Sequence, residues 1–137
     1  MQTLIPLPLH YAICRLDCQE LSQLMLVGKP HLLSPLFSLT VTTDEISLIC
    51  TQEKAKALQH LCEGHFDYGW KAFRLAGTFD FGQIGILAKI STVLAHAEVG
   101  IMAVSTFDTD YILVKQEHWA KAQQATSDAG YLWGEEA

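Results

Sequence analysis

The sequence has no apolar run of the ~18 residues that a membrane-spanning helix needs. It is poor in basic residues, with 9 Lys and Arg against 15 Asp and Glu and a formal charge of -6. Phosphate backbones and anionic lipids are held by clustered Lys and Arg, so neither nucleic acid nor a membrane surface is an expected partner. Only 18% of the 137 residues are charged and 50% are apolar, which excludes disorder as the main state and suits one domain or two very small ones. A signal peptide's charged start is missing: residues 1–10 contain no Lys or Arg, and Pro6 and Pro8 break them. That stretch reads as an extended lead-in to the first strand, and the expected location is cytoplasmic. The four cysteines, Cys14, Cys18, Cys50 and Cys62, have no paired zinc-finger spacing. They are expected as small buried hydrophobes rather than disulfides or metal ligands, with no metal and no cofactor.

What is present is alternation and helical periodicity. Strands are expected at 11–16, 36–42 and 46–50, with Phe37, Leu39 and Val41 on one face of the second. Short helices are expected at 19–26 and 53–62, and residues 63–69 read as a linker because of Gly64 and Gly69. In the second half, 70–76 reads as a strand. A helix over about 83–97 carries Ile86, Ile90, Val93 and Ala97 at helical spacing, with Gly100 as its stop. Strands at 101–105 and 111–115, a helix over 117–129 ended by Gly130, and an edge strand at 131–133 follow.

Both halves therefore read strand, helix, strand, strand, helix. The letters repeat in the same order: residues 11–16 match 70–75, Thr40-Val41-Thr42-Thr43 matches Ala103-Val104-Ser105-Thr106, and Asp44 matches Asp108. The expected fold is α+β, two ferredoxin-like βαββαβ units with antiparallel sheets and helices on one face. The units are placed at residues 1–68 and 69–137. The first half shows no last strand of its own, and the stretch around Phe66 to Gly69 is a candidate to supply it.

Two segments could carry function. The loop 77–82 and the start of the next helix hold Phe79, Asp80, Phe81, Gly85, Ile86 and Leu87. Free N–H groups and the positive end of a helix suit a carboxylate. The plainer account is that Asp80 caps the helix and Gly85 lets it approach the sheet. The turn holding Ser105, Thr106, Phe107 and Asp108 offers hydroxyls and a carboxylate to an ammonium group, or is simply a polar turn with an Asx motif. No nucleophile motif accompanies the six scattered histidines, so an enzyme is not expected.

Residues 85–95, followed by Val99-Gly100-Ile101-Met102, resemble the first helix and second strand of an ACT domain. Residues 79–81 and 103–114 resemble small bacterial tandem-ACT proteins and the ACT pairs of the eukaryotic arginine sensor. The resemblance implies two ACT units and non-catalytic, regulatory binding of an amino acid at the interface between units. On this basis the candidate ligand-binding residues are Phe79, Asp80, Phe81, Gly85, Ile86, Leu87, Ser105, Thr106, Phe107 and Asp108. A homodimer and a regulated enzyme are the implied partners. The alternative is a degenerate ACT pair that serves only dimerisation or protein interaction.

Overall fold

The computed structural model describes residues 2–17, 34–76 and 84–136. Its elements, in chain order, are β1 (Thr3–Pro6), β2 (Tyr11–Leu16), β3 (Ser38–Val41), β4 (Ile46–Thr51), α1 (Gln52–Gln59), β5 (Gly64–Leu75), α2 (Ile86–His96), β6 (Met102–Ser105), β7 (Asp110–Lys115), a 3-10 turn (Gln116–His118), α3 (Trp119–Asp128) and β8 (Leu132–Trp133). The helix expected over 19–26 lies outside the described residues. No helix among the described residues is long and apolar enough to cross a membrane. The chain divides into two compact units, a smaller one of Leu9–Trp70 and a larger one of Met1–Pro8 with Lys71–Ala137.

In the smaller unit the strand order is β3-β4-β2-β5, all antiparallel. The register sets Cys14 opposite Leu48 and Phe66, so these side chains share a face. Ala55 and Leu58 of α1 join them in the core. Helix α1 starts at Thr51, whose hydroxyl accepts from the Lys54 amide at 3.4 Å. The stretch 63–69 is not a linker: Gly64 to Trp70 is strand and pairs with β2, supplying the fourth strand that the first half lacked. Gly64 sits against the backbone of Arg15, where any Cβ would collide with the Arg15 carbonyl. Cys14 and Cys50 are buried free thiols, as expected, whereas Cys62 is disulfide-bonded, contrary to expectation. The Cys14 thiol is lowered from its ordinary range by its hydrogen bond with Cys50. That same bond, with burial, pushes Cys50 up and keeps it protonated.

In the larger unit the order is β6-β7-β5-β1-β8. Residues 1–10 are therefore not merely a lead-in. Strand β1 pairs antiparallel with β5, Leu4 opposite Leu75, and β8 lies parallel to β1, Leu4 opposite Trp133. Phe73, Leu75, Ile112, Val114 and Leu4 form one buried cluster with Ile90 and Leu94 of α2 and Ala122 of α3. Both helices thus cover the same face of this sheet. Its end is sealed by Phe73, Trp119 and Trp133, packed edge to face, with the Lys71 ammonium 4.6 Å from the centre of the Trp119 ring.

Residues in the hairpins of the two units correspond at an offset of 64, Ser38 to Met102 and Ile46 to Asp110. Cross-strand partners follow the same offset: Ser38 faces Ile49 as Met102 faces Leu113. Thr42 therefore corresponds to Thr106, one residue away from the match read in the letters.

Candidate functional site

Helix α2 begins later than its periodicity suggests, because Gly85 takes a left-handed conformation (φ 80) and is itself the N-cap. Asp80, offered above as the cap, lies outside the described residues, as do Phe79 and Phe81. Gly85 gives the helix no side-chain cap. Its carbonyl accepts from the Lys89 amide at 2.9 Å, closing the first turn. Among the described residues no side chain caps the first turn, which carries the positive end of the helix.

Beside the start of α2 lies a cavity of about 360 Å³. Its lining comprises Ile84, Gly85, Ile86 and Lys89 from the start of α2, Ala129, Gly130 and Tyr131 from the end of α3, and Gln2 from the entry to β1. The start of α2 and the end of α3 meet here, and α2 contributes the one charged residue of the lining, Lys89. Gln2 is fixed by its side-chain amide, which donates to the Ala76 carbonyl at 3.2 Å, while its own carbonyl accepts from the Leu132 amide at 3.0 Å. Burial pushes the Tyr131 phenol above its usual range, so it is a neutral hydroxyl at physiological pH.

Of the ten residues read from the sequence, Gly85 and Ile86 line this cavity. Leu87 is half-buried and packs against the core. Ser105, Thr106, Phe107 and Asp108 form the end of β6 and the turn into β7, and they are not part of the lining. The turn is held by Thr106, not by an Asx motif. Its hydroxyl donates to the Thr109 carbonyl at 3.0 Å and accepts from the Thr109 amide at 3.3 Å. Ser105 donates to Asp110 at 2.6 Å, and Phe107 stands 80% exposed. The Thr109 hydroxyl ties the turn to the Leu75 carbonyl at 2.8 Å. Gln2 and the turn therefore flank the same end of β5, at Ala76 and Leu75, without sharing a cavity.

Lys89, Gln2 and Tyr131 were not found from the sequence. Lys89 had a local signal, one turn beyond Gly85. Gln2 and Tyr131 had none, since only strand pairing brings them to α2. A second hollow of about 330 Å³ in the smaller unit is lined by Arg15, His65 and Asp67 among others. Its one fixed cation is already engaged, since Arg15 bonds Glu45 at 3.4 Å and the Asp44 carbonyl at 3.1 Å. Among the described residues no group of three or more His, Cys, Asp or Glu is placed to hold a metal ion.

Residues 65–127 match the family model of the ACT domain. No curated protein matches the sequence. Among solved structures, a protein from Agobacterium tumefaciens is similar at 29% identity and a TM-score of 0.81, over 99% of this chain and 94% of that one. A Vibrio cholerae protein described as of unknown function and a possible transport protein is similar at 18% identity and a TM-score of 0.69, over 93% and 88%. The ligand-free regulatory subunit of aspartate kinase from Thermus thermophilus is similar at 13% identity and a TM-score of 0.68, over 93% and 96%.

Proposed function

From the match of residues 65–127 to the ACT-domain model, we propose that the protein is a regulatory module that binds an amino acid and acts by binding rather than by turnover. The carrying observation is the uncapped start of α2, which opens with Lys89 onto a cavity of about 360 Å³. Ligand pockets run from about 300 to 1,000 Å³, so this one suits an amino acid and is small for a dinucleotide. The carboxylate takes the N–H groups after Gly85 and the Lys89 ammonium. The Gln2 side chain and the Tyr131 hydroxyl are the neutral polar groups beside it. A ligand held there favours whichever arrangement of the chain binds it better, and a partner reads the change. Regulatory subunits of aspartate kinase share the fold, which fits this use, although at 13% identity they speak for the fold alone.

A thermal-shift screen of the purified chain against the common amino acids tests this. A ligand at ~100 times its Kd stabilises by ~2.7 kcal/mol, a shift of several degrees. Lys89→Gln is expected to weaken binding about tenfold, ~1.4 kcal/mol. Asp108→Ala asks whether the β6–β7 turn takes part: a tenfold loss brings that turn to the ligand, and unchanged affinity confines the site to the cavity. A folded chain that no amino acid stabilises sinks the sensor reading. It would leave the interaction module, which the sheet-edge position of β6 and the exposed Phe107 beside it favour.

A further inference from the structure

Two thiols face each other in the core of the smaller unit. Cys14 lies on β2 at 2% exposure and Cys50 on β4 at 0%. Ala12 is opposite Cys50 and Cys14 is opposite Leu48, so the thiols share one face of the sheet and stand on a diagonal. The Cys50 S–H donates to the Cys14 sulfur. Leu48, Ala55, Leu58 and Phe66 belong to the same apolar cluster. Cys62 is in that cluster too, but its sulfur is committed to a disulfide. Among the described residues no set of three or more His, Cys, Asp or Glu is placed to hold a metal ion. An ion held by Cys14 and Cys50 therefore takes two protein ligands.

The diagonal decides what the two sulfurs can join. Cα atoms at such positions lie about 7–8 Å apart on antiparallel strands. A disulfide spans ~4.4–6.8 Å, so closing one here requires the strands to shift. An ion between the sulfurs puts two bonds of about 2.3 Å in place of one of ~2 Å, which removes that mismatch. We propose that Cys14 and Cys50 are the two ligands of a site for Cu(I), independent of the amino-acid cavity. Soft thiolates select Cu(I), zinc and iron–sulfur clusters, and the latter two ask for four ligands. Binding forms two Cu–S bonds and breaks two S–H bonds. Both protons leave to solvent and copper stays Cu(I), so no oxidant or reductant takes part. Coordination deprotonates a thiol outright, which overcomes the hold of Cys50 on its proton. The site is left with one negative charge, which the Lys54 ammonium near Cys50 offsets. Helix α1, eight residues long, covers this face with Ala55 and Leu58, and its local opening gives the ion a way in.

The test is an anaerobic titration of the full chain with Cu(I) against a coloured Cu(I) chelator. The wild type is expected to withdraw one equivalent. Cys14→Ala and Cys50→Ala should each weaken binding about 100-fold, the gain that a second linked ligand gives. Cys18→Ser combined with Cys62→Ser leaves Cys14 and Cys50 as the only cysteines, and this double variant should keep the ion. X-ray absorption of its copper should show two sulfurs. A wild type that takes no Cu(I), whether native or refolded in its presence, overturns the proposal. So does an ion that Cys50→Ala keeps and the double variant loses, since that ion sits on the other cysteines. If the alanine variants do not fold, the double variant and its two-sulfur signature still decide. If the double variant does not fold, the alanine variants decide.

Discussion

Helices α2 and α3 end in the same backbone geometry with different residues at its left-handed position. After α2, Glu98 donates to Ala95 at 3.0 Å and Val99 to Leu94 at 2.9 Å, with Glu98 at φ 60. After α3, Gly130 donates to Ser127 and Tyr131 to Thr126, both at 3.0 Å, with Gly130 at φ 97. Gly130 is the stop the sequence indicated. Gly100 is not, because burial of Leu94 and Val99 in one core ends α2 two residues earlier and leaves a glutamate there. Since Glu98 is exposed, Glu98→Gly is expected to stabilise the protein by ~1 kcal/mol in urea unfolding. No gain would mean that this turn carries no strain.

The β3–β4 and β6–β7 hairpins are the clearest trace of duplication. Thr42 donates its amide to the Glu45 carbonyl at 2.9 Å, as Thr106 does to Thr109 at the same distance. In both turns the threonine hydroxyl also accepts a backbone amide, at 3.1 Å from Glu45 and at 3.3 Å from Thr109. The turns are made by threonine, and Asp44 and Asp108 are passengers at the tip. Thr106→Val should therefore cost ~1 kcal/mol, while Asp108→Ala should change stability by less than ~0.5 kcal/mol. Equal losses in chemical denaturation would return the turn to the aspartate. The hairpins were legible because alternation and a turn-rich gap are local signals. The match of Asp44 to Asp108 has the register that the pairing imposes, whereas the match of 40–43 to 103–106 is one residue off, because similar letters outweighed the hydrogen-bonding position.

The larger unit depends on a strand from the opposite end of the sequence. Leu4 is expected to matter to it as much as any residue of α2: Leu4→Ala should cost ~2–5 kcal/mol, as for a fully buried leucine. Urea unfolding followed by tryptophan fluorescence reports it, since Trp119 and Trp133 pack against the same core. A loss below ~1 kcal/mol would mean that β1 adds little to that core. The cavity has the same dependence, because Gln2 reaches it only through β1.

The sequence by itself determined most of the elements, the repeat of the hairpins and the resemblance of the second half to an ACT domain. Each is carried by spacing within a few residues or by order along the chain. Tertiary structure alone decided which strand fills each slot, and so which residues meet at the start of α2. Strand pairing is set by edges that compete across the whole chain. Here β1 is placed ahead of the nearer β8, which brings Gln2 beside Gly85, Lys89 and Tyr131. No local pattern in residues 1–10 reports that competition, because an extended apolar segment reads the same whether it leads into a strand or is one.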